Sequence, residues 1–273
     1  MSIETEQLLQ TASEAAKKSG GYLLENLNKI SPEEVNEKAK NDFVTFVDKT
    51  SEKIIIDHIR ERYPDHSFLA EENSQPKAVR GDYMWIIDPL DGTSNYIHGI
   101  PSFCISIAVK HKNRIVAGVV FDPLHNELFQ AQGGKGAFLN DKAIQINNKG
   151  QMQRAILATG FPHRNKHILP AYLLAFQEIF LKCSGVRRCG SAALDLCYTA
   201  CNRYGGFWEL GLSPWDVAAG SLMVQEAGGK VTDFRGEANY MENGLIIAGN
   251  NIIHSVLKNI LSYHFKASMP NIN

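Results

Sequence analysis

Five short apolar runs between residues 83 and 140 constrain the fold of this chain more than any other feature of its sequence. In chain order they are YMWII, FCISIAVK, RIVAGVVF, ELFQAQ and GAFLN. Short polar turns separate several of them, as at residues 111–113 and 122–126. Short apolar runs joined by tight turns are typical of antiparallel strands. The sequence therefore predicts an antiparallel sheet in the first half of the chain.

Two helical patterns precede this sheet. Apolar residues recur at near-helical spacing over residues 3–28, with an interruption expected at Gly20 and Gly21. A second helix is predicted over residues 49–62, ending before Pro64. We therefore expect an α+β N-terminal half over residues 1–147.

After about residue 147 the rhythm of the sequence changes to an alternation of strands and helices. The pattern predicts strands at 155–160 and 205–210 and helices at 170–182, 191–202 and 214–227. Such alternation is typical of α/β architecture, in which helices cover a sheet. We expect a C-terminal α/β half over residues 148–273, joined to the first half without a long linker, and an α/β fold class for the whole chain.

Charge and composition exclude several classes of protein. Twenty-eight basic and 29 acidic residues leave a formal net charge of −1, so no overall field attracts DNA or an anionic membrane. The 44% hydrophobic and 21% charged content of the 273 residues argues against disordered, collagen-like and disulfide-scaffold proteins. The first residues, MSIETEQLLQ, lack a basic start and an apolar stretch, and the sequence has no 18-residue apolar run. We expect a cytoplasmic protein that binds neither DNA directly nor membranes.

The five cysteines include no C-x-x-C pair. We interpret them as buried apolar side chains and expect no disulfide. A metal or redox pair at Cys197 and Cys201, four residues apart on an expected helix, is the alternative.

The densest chemical signal lies at residues 85–95, WIIDPLDGTSN. An apolar strand leads there into Asp88 and Asp91, and a turn restricted by proline can point both carboxylates at one place. The amides of Gly92 and Thr93 follow at the start of an expected helix, where unpaired N–H groups favour a phosphate. The alternative is structural, with Asp91 or Thr93 capping the helix and Asp88 filling a turn.

Other acidic residues follow apolar segments elsewhere in the chain. They are Asp42 and Asp48 around FVTFV, Glu71 and Glu72 after SFLA, and Asp216 after Pro214-Trp215. Asp216 alone would be an ordinary first-turn acid of a helix. Several acids converging from strand ends and helix starts repel one another unless cations hold them, and carboxylate oxygens suit Mg²⁺. Taken together, the acids predict a magnesium site.

Two other phosphate chemistries are disfavoured by spacing. Phosphatases that form an aspartyl-phosphate use D-x-D-G-T, and in this chain the position two residues before Asp91 is Pro89, so a covalent aspartyl intermediate is not expected. No G-x-x-x-x-G-K-[ST] loop occurs, which argues against a P-loop NTPase. The histidines and glycine pairs show no zinc or dinucleotide spacing.

Six motifs occur in a fixed order between about residues 38 and 249. They are DFVT at 42–45 with Asp48, Glu71-Glu72, WIIDPLDGTSN at 85–95, GSAA at 190–193, Glu209, and PWDVAAG at 214–220. By these motifs the chain resembles the inositol monophosphatase family, and within it the bacterial SuhB type. The resemblance implies a layered αβαβα sandwich of the sugar phosphatase type, shared with fructose-1,6-bisphosphatase, with Mg²⁺ between the halves. It also implies a homodimer and inhibition by Li⁺.

The resemblance implies roles for the acidic residues in metal binding. Glu71, Asp88 and the Leu90 carbonyl match a first metal site. Asp88, Asp91 and Asp216 match a second site, and Glu71 would help to hold a third ion.

The resemblance also implies catalytic and substrate-binding residues. Thr93, paired with Asp48, and Glu71 would orient or activate the attacking water. The residues that match substrate contacts are Asp91, Gly92, Thr93, Ser191, Ala192, Glu209 and Asp216. Ser213-Pro214 stands where animal members have His and Cys, so the sugar-facing rim differs, and Lys38 lies one residue nearer Asp42 than the family's lysine and is not carried over.

The activity implied by the resemblance is Mg²⁺-dependent hydrolysis of myo-inositol 1-phosphate and similar polyol phosphates by activated water. Related folds hydrolyse fructose 1,6-bisphosphate, 3′-phosphoadenosine nucleotides and NADP, whose second phosphate needs further basic residues. His163 and Arg164 are candidates for that contact, with a solvated loop as the alternative.

A function of another class stays open. The resemblance to SuhB-type members also implies a regulatory role in transcription, in which the protein would contact RNA polymerase or antitermination factors. Arg187, beside Arg188, matches a position near the subunit interface of similar proteins, with an ordinary surface arginine pair as the alternative.

Overall fold

The computed structural model describes residues 3–31, 33, 35–39, 42–72, 81–163 and 165–266. Two short strands, β1 (Asn36–Ala39) and β2 (Asp42–Val44), pair antiparallel near its start. Seven strands then form a large sheet: β3 (Ser67–Ala70), β4 (Tyr83–Asp91), β5 (Cys104–His111), β6 (Arg114–Asp122), β7 (Glu127–Gln132), β8 (Gly136–Leu139) and β9 (Lys142–Ile144).

The strands of the large sheet lie side by side in chain order. All neighbouring pairs from β4 to β9 are antiparallel, which confirms the sheet expected from the five apolar runs. The sequence did not reveal β3, which pairs parallel to β4 at the sheet edge. A short run of four residues, SFLA, carries too little periodicity to be assigned to a strand.

Helices α1 (Ile3–Asn26) and α2 (Phe46–Arg62) cover one face of the large sheet. The interruption expected at Gly20-Gly21 is wrong, since α1 runs unbroken through both residues. A β-carbon on Gly20 would lie 2.6 Å from the Phe121 ring. The glycine therefore permits close contact between helix and sheet, although glycine inside a helix costs about 1 kcal/mol. Helix α2 starts three residues earlier than expected because Thr45 and Asp48 form a capping box.

The second half of the chain forms a five-stranded sheet. Its strands are β10 (Ile156–Thr159), β11 (Gly185–Arg187), β12 (Gly206–Leu210), β13 (Lys230–Thr232) and β14 (Leu245–Gly249), in the spatial order β11-β10-β12-β14-β13. Strands β10, β11 and β12 are parallel, whereas β14 runs antiparallel to β12 and β13. The sheet is therefore mixed, and the carboxyl ends of its three parallel strands meet at one edge.

Six more helices complete the part of the chain that the structure describes. They are α3 (Thr93–Ile97), α4 (Leu169–Phe180), α5 (Ala192–Ala200), α6 (Pro214–Glu226), α7 (Tyr240–Asn243) and α8 (Asn251–Phe265). Helices α5 and α6 lie between the two sheets, and α4 and α8 cover the outer face of the second sheet. The order α1/α2, sheet, α5/α6, sheet, α4/α8 confirms the expected layered αβαβα sandwich.

Helix α6 shows why the central layer holds together. Its residues from Val217 to Val224 are all buried, as a helix covered by sheets on both sides requires. Small residues bring it close to its neighbours, since a β-carbon on Gly118 of β6 would lie 3.2 Å from the Ala219 α-carbon. The close packing fixes the first turn of α6, and with it Asp216, against the large sheet.

Two further findings concern the cysteines and the helices. All five cysteines are free thiols, and Cys104 and Cys197 are buried. None of the helices in the described ranges has both the length and the apolar character needed to cross a bilayer.

Candidate active site

A bulge in β4 brings Asp88 and Asp91 to the same face of the large sheet. Residues three apart on a regular strand point to opposite faces. Here Asp88 lies opposite Ser106 and Asp91 opposite Cys104, so β4 contains one residue more than β5 over this stretch. Because of this extra residue, Asp88 and Asp91 face the same side of the sheet, and both carboxylates point towards the central helices. The expectation that a turn brings them together is thus corrected, because both residues belong to the strand.

Asp216 reaches the same place from the central layer. It lies in the first turn of α6 and accepts a hydrogen bond from the Ser213 amide at 2.7 Å. The Ser106 hydroxyl of β5 donates to the Trp215 carbonyl at 3.2 Å and ties this turn to the sheet. One carboxylate oxygen from each of Asp88, Asp91 and Asp216 lies within 4.8 Å of the others.

The electrostatics of this carboxylate trio fit a divalent cation. Burial, followed by the charges of Glu71, Asp91 and Asp216, raises the pKa of Asp88 well above its usual value. Burial likewise raises the pKa of Asp91 to about 6 and that of Asp216 to about 8. Buried carboxylates that resist ionisation together become stable as anions when a cation lies between them, and their oxygens are the ligands that Mg²⁺ prefers. The residues present therefore fit the ion.

Glu71 and Leu90 adjoin the carboxylate trio. The Glu71 amide donates to the Ile87 carbonyl at 3.2 Å, which places Glu71 at the end of β3 beside β4. Its charge contributes to the raised pKa values of all three aspartates. The Leu90 carbonyl oxygen lies 3.1 Å from the Thr93 hydroxyl oxygen, while the Leu90 side chain packs in the core between the large sheet and the outer helices.

Thr93 and Asp48 meet as the sequence led us to expect. The Thr93 hydroxyl lies 2.8 Å from one Asp48 carboxylate oxygen, and the other oxygen accepts from the amide and hydroxyl of Thr45. Burial raises the pKa of Asp48. Gly92 precedes Thr93 with φ +97°, and a β-carbon there would lie 2.8 Å from the Ser102 carbonyl oxygen. Only glycine fits this position without strain.

The second half of the chain supports Asp91 directly. The Ser191 hydroxyl and the Ala193 amide donate to one Asp91 oxygen at 2.7 and 2.8 Å. Ser191 is fully buried at the start of α5, so its hydroxyl meets Asp91 and not the cleft. The expected contact between Ser191 and substrate stays a prediction.

Glu209, Ala192, Asp91 and Asp216 line one cleft of about 190 Å³. Burial raises the pKa of Glu209 to about 8, and the nearby charge of Arg188 opposes that rise. Gly160 makes room for this side chain, since a β-carbon on Gly160 would lie 1.8 Å from a Glu209 oxygen. Four of the seven expected substrate contacts thus line this opening, two of them also expected metal ligands, whereas Gly92, Thr93 and Ser191 do not line it.

Sequence reasoning gave no role to Asn95 or Arg188. Asn95 donates to the carbonyls of Ser102 and Cys189 and so links the two halves beside the site. Arg188 lines the cleft together with His163, whereas we had singled out Arg187 of the same pair. The position of Arg188 directly after a parallel strand is the signal that could have found it. Arg164, the other candidate for a second phosphate, lies outside the described residues, as does the side chain of Asp42.

Comparisons with known proteins agree with this geometry. The sequence of residues 4–267 matches the protein family described as "Inositol monophosphatase family". A Pseudomonas aeruginosa protein named Nus factor SuhB is 42% identical over 266 residues, covering 96% of this chain and 98% of that protein. The structure of the extragenic suppressor protein suhB from Bartonella henselae gives a TM-score of 0.87 at 40% identity, covering 93% and 98% of the two chains. Inositol monophosphatase from Anabaena (Nostoc) gives 0.85 at 38%, covering 96% and 97%.

Proposed function

The chain belongs to the inositol monophosphatase family, and we propose that it is a Mg²⁺-dependent phosphatase of myo-inositol 1-phosphate and similar polyol phosphates. The observation that carries the proposal is the convergence of Asp88, Asp91 and Asp216 beside a cleft. A strand bulge and a helix terminus are both needed to assemble these carboxylates. Without a cation the carboxylates repel one another and destabilise the fold, so a purely structural role does not explain why they lie together.

Two sets of oxygen ligands would hold Mg²⁺ in the proposed site. Asp88, Asp91 and Asp216 form one set, and Glu71, Asp88 and the Leu90 carbonyl form the other. When bound, Mg²⁺ supplies positive charge that offsets the phosphate and lowers the pKa of water.

Side chains of the large-sheet side would position the attacking water. The Thr93 hydroxyl has one proton, and Asp48 at 2.8 Å accepts it, which leaves the lone pairs of the hydroxyl oxygen to accept from water. Glu71 would accept a proton from the same water as a general base. The orientation of Thr93 is fixed because Asp48 is itself held by Thr45.

Backbone and cleft residues would bind the substrate. The amides of Gly92 and Thr93 begin α3 and have no partner within that helix, so they can donate to phosphate oxygens. On the alcohol side, Asp91, Ala192, Glu209 and Asp216 line the space left for a polyol.

Phosphate release tests the proposal. The substrates are myo-inositol 1-phosphate, fructose 1,6-bisphosphate, 3′-phosphoadenosine 5′-phosphate and NADP, each with and without Mg²⁺ and Li⁺. We expect Mg²⁺-dependent, Li⁺-sensitive release that favours myo-inositol 1-phosphate. No release from any of the four by a folded protein that binds Mg²⁺ would refute the enzymatic assignment.

The Nus factor name of the Pseudomonas aeruginosa relative favours a second candidate function. In this proposal the chain is a homodimeric regulatory partner of RNA polymerase or antitermination factors in the cytoplasm, with phosphatase activity secondary. Arg187 is exposed at the end of β11 and is available for a protein contact. A variant without hydrolysis that still complements a deletion of the gene would favour this role, and loss of complementation would favour the enzyme.

A further inference from the structure

We propose that Arg188 determines specificity in the cleft by donating to a hydroxyl of the neutral polyol that carries the phosphate. The inference rests on the phosphatase function proposed above. It starts from the three parallel strands of the second sheet, whose carboxyl ends meet at one edge. His163 follows β10, Arg188 follows β11 and Glu209 lies near the end of β12, and all three side chains line the cleft.

The Arg188 side chain is held in place from three directions. Its guanidinium nitrogen Nη2 lies 3.3 Å from His163 Nε2. Its Nη1 lies 2.5 Å from where a β-carbon of Gly190 would be, so the guanidinium lies against the glycine backbone. Asn95 donates to the Cys189 carbonyl at 2.8 Å and fixes the backbone between Arg188 and Gly190. A donor held in this way loses little conformational freedom when it binds a ligand.

Glu209 supplies an acceptor in the same cleft. No ion pair within 4.0 Å joins Arg188 to Glu209 among the residues that the structure describes, although the Arg188 charge acts on the Glu209 carboxylate. A guanidinium that can only donate and a carboxyl group whose oxygens can accept in either protonation state are thus separated by a gap. Two hydroxyls of one polyol satisfy both groups, because one hydroxyl accepts from Arg188 while another donates to Glu209.

The charges around Arg188 argue against a second phosphate at this position. Burial raises the pKa values of Asp91, Asp195 and Glu209, and the nearby charge of Arg188 opposes each rise. Arg188 thus lies among three acidic side chains. A neutral diol can bind there whatever their protonation states, whereas a second phosphate would be repelled by any of the three that is ionised.

Steady-state kinetics of Arg188→Met and Arg188→Lys test the assignment with three substrates. These are myo-inositol 1-phosphate, phenyl phosphate, whose alcohol part has no hydroxyl, and fructose 1,6-bisphosphate. For Arg188→Met we expect kcat/KM on myo-inositol 1-phosphate to fall about 10- to 100-fold, as for loss of a hydrogen bond to a charged group, mostly through KM. Phenyl phosphate turnover should stay unchanged, and Arg188→Lys should restore part of the loss.

The matched control is Arg114→Met, an exposed arginine at the start of β6, beside His111 and so at the end of the large sheet away from Asp91. It should behave as the wild type. Equal losses on phenyl phosphate and myo-inositol 1-phosphate would overturn the specificity role. A loss confined to the bisphosphate would also overturn it, because Arg188 would then bind a second phosphate. A wild-type protein that hydrolyses none of the three would instead overturn the proposed phosphatase function, and this inference with it.

Discussion

The two sides of the cleft are built in different ways. On the large-sheet side, one bulged strand carries both Asp88 and Asp91, which are buried. On the second-sheet side, Arg188 and His163 come from separate strand ends and are exposed. Two of the three clustered carboxylates are therefore fixed by one strand, whereas Arg188 and His163 can be replaced one at a time. This difference predicts that mutations on the first side abolish chemistry and that mutations on the second side alter substrate preference.

The largest expected effect comes from Asp91→Asn, which tests the large-sheet side. We expect turnover of every substrate to fall by at least about 100-fold, the scale of losing one preorganised electrostatic group. The fold should stay intact because the asparagine oxygen can still accept from Ser191 and Ala193, which are 2.7 and 2.8 Å from the present carboxylate. Phosphate release and circular dichroism check the two halves of this prediction.

Normal Mg²⁺-dependent turnover by Asp91→Asn would rule out the assignment. A loss on one substrate only would contradict the different roles of the two sides, because Asp91 would then recognise the alcohol. The thermal stability of the metal-free Asp91→Asn variant should not be lower than that of the metal-free wild type, since the substitution removes a buried charge.

The second prediction concerns stability, pH and Mg²⁺. The folded-state pKa values of Asp91 and Asp216 are raised to about 6 and about 8, so the metal-free folded state binds more protons than the unfolded state between about pH 4 and pH 8. Stability contributed by these groups is therefore lost as pH rises through that window. Mg²⁺ at about 100 times its Kd should restore about 2.7 kcal/mol, or about 5–10 °C in Tm for a chain of this size.

Thermal melts from pH 5 to pH 8, with and without Mg²⁺, measure this effect. The Mg²⁺-induced shift should grow with pH and should shrink in Asp216→Asn, which lacks one of the charges. A shift that is the same in that variant and in the wild type would mean that Mg²⁺ binds elsewhere.

The third prediction is Gly92→Ala, which strains the backbone between the carboxylates and Thr93. Positive φ and the 2.8 Å approach to the Ser102 oxygen should cost about 1–3 kcal/mol in the free energy of unfolding and should lower turnover on all substrates. Gly21→Ala is the control, because nothing lies within 4 Å of a β-carbon on this helical glycine and alanine should add about 0.5–1 kcal/mol. Urea denaturation compares the two variants. Equal stabilities would contradict the assigned strain.

Local sequence patterns predicted most of the elements because their apolar periodicity is strong. The antiparallel strands β4 to β8 and the helices α2, α4, α5 and α6 lie close to their expected bounds. Apolar periodicity did not predict the features that depend on contacts between distant parts of the chain. The break expected at Gly20 does not occur because the Phe121 ring occupies the space that a side chain would need. The direction of β14 depends on which strands it lies between, and no local signal shows that.

The candidate site residues could be selected from the sequence because their types and motifs are distinctive, but their spatial arrangement could not be predicted. The Asp88 to Asp91 bulge requires knowledge of the β5 register, which the sequence of β4 does not contain. The sequence did not show that the Ser191 hydroxyl supports Asp91, because that bond depends on where α5 begins relative to β4. Arg188 and Arg187 are adjacent and chemically identical, so the one that lines the cleft can be distinguished only once the end of β11 is known.

The smallest expected effect is that of Ser191→Ala, which removes a bond between the two sides of the cleft. Ser191 donates to Asp91 at 2.7 Å and caps α5 through the Leu194 amide at 3.3 Å, so the variant should lose about 1 kcal/mol of stability and about tenfold in kcat. Asn250→Ala is the control, because Asn250 caps α8 through the Ile253 amide at 2.8 Å and does not touch Asp91. It should lose as much stability or more, with kcat unchanged. Equal kcat losses in the two variants would show that stability alone limits turnover, and that the bond between Ser191 and Asp91 does not position the carboxylate.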